Sequence, residues 1–206
     1  KSLSNSLLDL TNRVLHPKNG LWREDSKKLE KLKSRRQELF ASKSNSLERI
    51  YWLLEDTRRY GTLPFAGLAR AGFMAIQILK SLVSVGVLTD ADYESFMTSL
   101  STVSRQMARD LATFNKSQFL SHYGHLRPGT YDILSPRYDE APDLYFDWEE
   151  KKHVPEPVKA FSASKEQLDG IASLLKVHNL QIDTLGLFEF LRAGIESREL
   201  AKFFFT

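Results

Sequence analysis

Two basic side chains one helical turn apart, and a turn crowded with cations, are the features of this chain best able to meet an anion. In "ESRELAKFFFT", Arg198 and Lys202 stand four residues apart, which on a helix puts both on one face. Like charges at that spacing cost a helix about 0.2–0.5 kcal/mol unless something anionic lies between them, and a phosphate would meet that need. The plainer reading pairs Lys202 with Glu199 at i, i+3. The second feature is "SHYGHLRPGTYDILSPRY", residues 121–138, where Gly124, Pro128, Gly129 and Pro136 accompany His125, Arg127 and Arg137. Glycines let backbone amides come close to a ligand, and the three cations can supply charge-assisted hydrogen bonds. Asp132 can hold one of the arginines in place. A rigid turn knitted by an Arg–Asp contact uses the same residues, so both readings stay open.

Composition removes other chemistries. With 0 cysteines there is no disulfide, thiolate metal site or cysteine nucleophile, which fits a reducing, cytoplasmic setting. The 5 histidines are scattered without metal-ligand spacing such as HExxH, so no metal site is expected. A net charge of +3, from 29 Lys and Arg against 26 Asp and Glu, does not call for nucleic acid. The basic run "KKLEKLKSRR" at 27–36 can track phosphates, but Glu30, Glu38 and the leucines among it read more simply as a solvated helix face. Arg70, Gln77, Lys80 and Ser84 form a polar stripe on an otherwise apolar helix, either a surface stripe or one wall of a binding cavity. Those charges also speak against a membrane span there. The chain begins at Lys1 without a signal-peptide pattern and ends on "LAKFFFT" without a breaker. Both ends read as cut, so the expectation is a piece of a longer protein.

The elements that must position these residues are helices. Residues 1–206 read as a single domain, an all-α multi-helix bundle with a long irregular connection around 124–163. A short helical pattern stops at Pro17 and Gly20, and a charged helix over about 24–41 follows, carrying Leu29, Leu32, Leu39 and Phe40. After a polar link, Ser46 is the expected N-cap of a helix whose Leu47, Ile50, Tyr51 and Leu54 form a core-facing stripe, with Gly61 as its stop. Those two helices should make an antiparallel hairpin. Pro64 opens a buried helix rich in small residues (Ala66, Gly67, Ala69, Ala71, Gly72, Ala75) that lets neighbours approach closely. Thr89 with Asp90 and Asp92 opens a helix whose apolar row, Tyr93 through Phe114, runs for about six turns. A shorter helix ends at Tyr123 with Gly124 as its C-terminal glycine. Ser164 with Gln167, and then Asp183, cap the last two helices.

The turn and its helical surroundings resemble the central helical region of enzymes related to phosphoenolpyruvate synthase, pyruvate phosphate dikinase and the rifampicin phosphotransferases. Gly124, the Pro128–Gly129 pair, Asp132, Ile133 and the triplet Pro136, Arg137, Tyr138 follow the order of that family's signature. Thr130 stands where the family has an acidic residue, and Arg127 is displaced from the family's arginine. The segments "LTNRVLHPKNGLW" and "GTLPFAGLARAGFMAIQILKSLV" look like the same family. "RELAK" is similar to an Arg-Glu-x-x-Lys element near the phosphate-transfer site of the antibiotic phosphotransferases.

The resemblance implies a phosphotransferase of three parts. An ATP-grasp domain cleaves ATP with Mg, a swivelling domain carries the phosphoryl group on a histidine, and the domain between docks or shapes a small-molecule acceptor. By that match Arg198 and Lys202 are the phosphate-proximal residues, and His125, Arg127 and Arg137 are candidate acceptor or phosphate contacts. The ATP-grasp and phosphohistidine domains would be partners in the same chain, and this segment alone, binding no cofactor, is not expected to catalyse. The competing expectation, from another class, is a non-catalytic helical scaffold or protein-interaction module.

Overall fold

In a computed structural model the chain is all-α. The structure describes residues 2–128, 132, 134–149 and 159–205, and among them there is no strand. The helices are α1 (Leu3–Leu15), α2 (Leu21–Ala41), α3 (Ser46–Asp56), α4 (Leu63–Ser84), α5 (Asp90–Thr98), α6 (Val103–Thr113), α7 (Lys116–Tyr123), α8 (Pro142–Tyr145), α9 (Lys165–Val177) and α10 (Thr184–Phe205). Where the sequence reading takes 1–206 as one domain, contacts gather into two compact units. The first holds residues up to Leu100 together with those from Lys159 onward, and the second starts at Ser101.

The first unit is organised by α4 against α10. Along α4, Leu68, Ala71, Gly72, Ala75, Leu79 and Leu82 recur at spacings of three and four and are buried. That row meets Leu187, Phe190, Leu191 and Ile195 of α10 in the main core. The small residues do what the sequence implies, since a methyl added at Gly194 would stand 3.1 Å from the Ala71 carbonyl oxygen. Helix backbones this near leave room only for hydrogen or methyl side chains. Phe96 of α5 fills the lower core, its ring centroid 5.4 Å from Phe161 and 6.0 Å from Phe188. Arg192 of α10 donates to the Ser99 carbonyl at 3.1 Å, tying α10 to the end of α5.

Helix starts follow local chemistry closely. Thr89–Asp92 and Ser164–Gln167 both form reciprocal capping boxes, and the Gly186 N–H donates to Asp183 Oδ1 at 2.6 Å. For α3 the cap is Asn45 rather than Ser46, with Glu48 completing its box; the amide oxygen of Asn45 reaches the Glu48 N–H at 3.0 Å. Gly61 is not a stop. It is buried in a π-helical turn, Thr57–Thr62, through which α3 runs directly into α4. The reason is Pro64: it offers no N–H to the carbonyl four residues back and its ring crowds that carbonyl, and a wider turn just before it relieves both. The continuous Ser46–Ser84 helix is long and apolar enough, by length and composition, to cross a membrane, and 33% of its most apolar window is buried inside the protein.

Two further expectations are corrected. The α3 stripe does not face the core: Leu47, Ile50, Tyr51 and Leu54 are 79%, 55%, 58% and 67% exposed. α3 is attached through its opposite face, where buried Asp56 takes the Arg35 Nε–H of α2 at 2.6 Å. The six-turn helix is also two helices. After Thr98 the Ser99 hydroxyl turns back to the Phe96 carbonyl at 2.7 Å, and Thr102 caps a fresh start by accepting from the Arg105 N–H. A side-chain hydroxyl that competes for backbone groups in this way offers the chain an exit from the helix.

The second unit is built on aromatic packing. Phe119 of α7 is fully buried, with ring centroids 4.9 Å from Tyr123, 5.0 Å from Phe146 and 5.8 Å from Trp148. Tyr138 adds to the group, 4.8 Å from Phe146. The Tyr123 hydroxyl donates to Asp110 Oδ2 at 2.7 Å, and Gln106 Nε2 donates to the other oxygen at 2.7 Å. Burial, with Asp110 beside it, pushes the Tyr123 phenol well above the ordinary tyrosine value.

Candidate functional site

Arg198 lies on α10 where the helix comes nearest to α4. A methyl built on Gly72 would stand 3.1 Å from Arg198 Cδ and 3.2 Å from its Cβ, so the stem of this arginine lies over the glycine. Its guanidinium carbon then sits 4.4 Å from the centre of the Phe73 ring. Stacking of this kind holds the planar group without using its N–H donors. Among the described residues Arg198 is half-buried and makes no hydrogen bond or ion pair with protein. Lys202 follows one turn later and is exposed, in the last turn of α10 where a cation also complements the helix dipole.

The three other candidate cations, His125, Arg127 and Arg137, belong to the second unit. Arg127 donates to the Ser135 carbonyl and so closes the turn on itself. Arg137 makes a forked contact with Asp139, 2.9 and 2.8 Å, and lies 3.5 Å from Glu140. Those carboxylates raise the Arg137 pKa, the Asp139 hydrogen bond foremost. Asp132 is not the partner of either arginine: it accepts from the Leu134 N–H at 2.9 Å and the Ser135 hydroxyl at 3.0 Å. His125 is half-buried. Backbone bonds from Tyr138 to Leu126 and from Asp139 to Gly124 complete the knot. Gly124 is there for closeness rather than for handedness, since its φ is −58° and a methyl on it would meet Asp139 Cβ at 2.9 Å. Gly129, Thr130 and Ile133 of the signature lie outside the described residues. What is described is a turn whose arginines are spent on its own backbone and carboxylates.

The remaining sequence candidates are surface features. Arg70, Gln77, Lys80 and Ser84 are all exposed on α4. In the basic run, Lys27 and Lys28 pair with Glu24 and Asp25 one turn back, and Lys31 stands 4.9 Å over the Tyr60 ring. Sequence reasoning passed over two recesses. One, of about 220 Å³, is lined by Arg35, Trp52, Asp56 and the Ser42–Ser44 link. The other, of about 640 Å³, lies along Asp143–Glu149 beside Lys116. The only signal for the first was the acidic pair Glu55–Asp56 that ends α3. Neither recess is lined by Arg198 or Lys202. Among the described residues no group of three or more His, Asp or Glu could hold a metal ion.

No protein-family model matches this chain, and no curated protein or solved structure matches it with significance.

Proposed function

We propose that the chain is the central helical domain of a phosphoenolpyruvate synthase-like phosphotransferase, acting in the cytoplasm beside ATP-grasp and phosphohistidine domains, and that Arg198 faces the phosphoryl group in transit. The observation that carries this reading is the state of Arg198. A half-buried guanidinium held over Phe73 keeps its forked donors for a ligand, and a phosphoryl group presents the matching pair of oxygens. Phosphoryl transfer asks a protein mainly for positioning and positive charge, which a stacked arginine gives without reorganising. Lys202, one turn on, adds a second positive charge to the same face. ATP and Mg belong to the ATP-grasp part, and no step here runs through them. The turn at 124–138 supports the reading as a structural element, with His125, Arg127 and Arg137 shaping the domain rather than holding phosphate.

The test uses the full parent enzyme. Arg198→Ala should leave phosphohistidine formation from ATP intact and slow its discharge to the parent enzyme's small-molecule acceptor by about 10²-fold, the usual effect of losing one preorganised donor. Arg198→Lys should recover part of it. Unchanged discharge in a soundly folded variant, or a parent that forms no phosphohistidine, overturns the proposal. The scaffold reading keeps one specific support, the bare apolar face of α3.

A further inference from the structure

Asp56 is a carboxylate with one oxygen engaged and one left over. Its side chain is 7% exposed, and Oδ1 takes the Arg35 Nε–H at 2.6 Å. Among the described residues no N–H or O–H group donates to Oδ2. A buried ion pair is well held only when its remaining lone pairs are also satisfied, so fastening α3 to α2 does not by itself account for an open oxygen. The opening that Asp56 borders is the recess of about 220 Å³ between the end of α2, the Ser42–Ser44 link and α3. Trp52 and Leu39 form its apolar wall, and exposed Glu38 stands at its rim. Two carboxylates, Asp56 and Glu38, against one guanidinium, Arg35, leave the lining with one negative charge. We propose that this recess binds a small primary ammonium compound, whose N–H groups reach Asp56 Oδ2 and whose hydrocarbon part lies against Trp52 and Leu39.

The parts of the recess are held in place before anything binds. The Arg35 guanidinium sits 5.9 Å from the ring centres of both Trp52 and Tyr60, which keeps its charge beside Asp56. Tyr60 comes from Thr57–Thr62, the π-helical turn that begins directly after Asp56, and turns of this kind recur where a helix carries a site. The Ser42 hydroxyl donates to the Leu39 carbonyl at 2.7 Å, and Arg49 holds the Ser42 carbonyl at 3.2 Å, so the link is a fixed edge rather than a competing donor. Water satisfies Oδ2 but gains nothing from the wall opposite, whereas a short hydrocarbon chain is taken out of water there. At about 30 Å³ for each water-sized group the space admits about seven non-hydrogen atoms, which suits a short amine and is too small for a nucleotide. Among the described residues no third acid or histidine joins the two carboxylates to make a metal site. The inference is independent of the phosphotransfer reading.

The test is a titration of the isotope-labelled 206-residue chain with n-butylammonium chloride at constant ionic strength, followed by two-dimensional NMR. For a probe of about five non-hydrogen atoms a dissociation constant of about 1–10 mM is expected. The Trp52 indole N–H and the Ser44 amide should shift and saturate, while the Trp22 and Trp148 indoles stay in place. n-Butanol, which has the same chain without the charge, should bind about tenfold or more weakly because it gives up the charged hydrogen bond to Asp56. Asp56→Asn should remove the saturable shift. Since that variant also strips Arg35 of its partner, Ser44→Phe supplies a second test: from the half-buried rim its ring fills the recess and leaves Arg35 and Asp56 as they are. It should abolish binding with the far-UV circular dichroism unchanged. No saturable Trp52 shift up to about 50 mM probe overturns the proposal. So does n-butanol that binds as well as the ammonium, or a folded Ser44→Phe chain that binds as the wild type does.

Discussion

Gly72 and Gly194 offer the same substitution on the two sides of the α4–α10 contact. Alanine at either position gains the same helix propensity, about 1 kcal/mol over glycine. At Gly72 the new methyl would stand 3.0 Å from the Gly194 carbonyl oxygen and 3.2 Å from Arg198 Cβ, both fixed by α10, and 3.1 Å from Arg198 Cδ, which belongs to a stem that can rotate away. At Gly194 it would meet the Ala71 carbonyl oxygen at 3.1 Å, the Ala71 carbonyl carbon at 3.3 Å and Ala75 Cβ at 3.3 Å. None of those atoms moves unless α4 itself moves. Overpacking against fixed neighbours costs about 1–3 kcal/mol, so Gly72→Ala and Gly194→Ala should each lose about 1 kcal/mol net. For a unit of this size that is a fall in Tm of about 2–4 °C, measurable by thermal and urea denaturation followed by circular dichroism. Gly72→Ala carries a second consequence. Arg198 Cδ has to move to admit the methyl, so under the proposed function discharge of phosphohistidine in the parent enzyme should fall with Gly72→Ala and hold with Gly194→Ala. Either variant as stable as wild type, or more so, would refute the account of how these helices pack.

Two more predictions concern buried or coupled polar groups. Asp92 is held below the usual aspartate value of 3.8, first by the Thr89 N–H, next by the Thr89 hydroxyl, and also by the Gln167 amide at 2.8 Å. A depressed folded pKa means that its stabilisation is present above the unfolded value and lost as pH falls through the folded one. Asp92→Asn should therefore cost about 1 kcal/mol at neutral pH, as capping substitutions do, and the gap to wild type should close below about pH 4 in urea melts across pH. Tyr123→Phe removes the donor 2.7 Å from buried Asp110 and leaves that oxygen without its phenol. The expected loss is about 1–3 kcal/mol, seen as earlier melting of the second unit by tyrosine and tryptophan fluorescence.

Local chemistry was readable from sequence wherever a residue acts on its own neighbours. The Thr89 and Ser164 boxes, the Asp183 cap and the small-residue face of α4 are decided within four residues of themselves. The break between α5 and α6 was not readable, because the apolar row from Tyr93 to Phe114 continues through it and residues 99–102 contain no proline or glycine. Only the hydroxyls of Ser99 and Thr102, bonding back and forward, carry the signal. The α3 stripe shows a different limit. A period of three and four tells that one face of a helix is apolar, but not whether its own chain covers that face. At the candidate site, residue types were right where geometry was not: Asp132 stands nearer in sequence to the Pro–Gly pair, yet Asp139 is the carboxylate that reaches Arg137.

The contrast among the arginines decides where an anion can be received. A guanidinium has five N–H donors and no way to lose its charge, so its availability depends on what its neighbours have already claimed. Arg137 faces two carboxylates and Arg127 a carbonyl. An incoming phosphate at either would have to displace a partner that costs nothing in ordering. Arg198 differs because its position is set by a ring face and a glycine, contacts that restrain the stem and leave the fork open. Restraint without neutralisation is the combination that a transferred phosphoryl group rewards, since the charge is oriented beforehand and no ion pair must first be broken. Under the proposed function, the phosphoryl path would then lie along α10 rather than in the proline- and glycine-rich turn. The close packing of α4 on α10 is then the structural condition for it, because any side chain larger than hydrogen at Gly72 would push the guanidinium out of place.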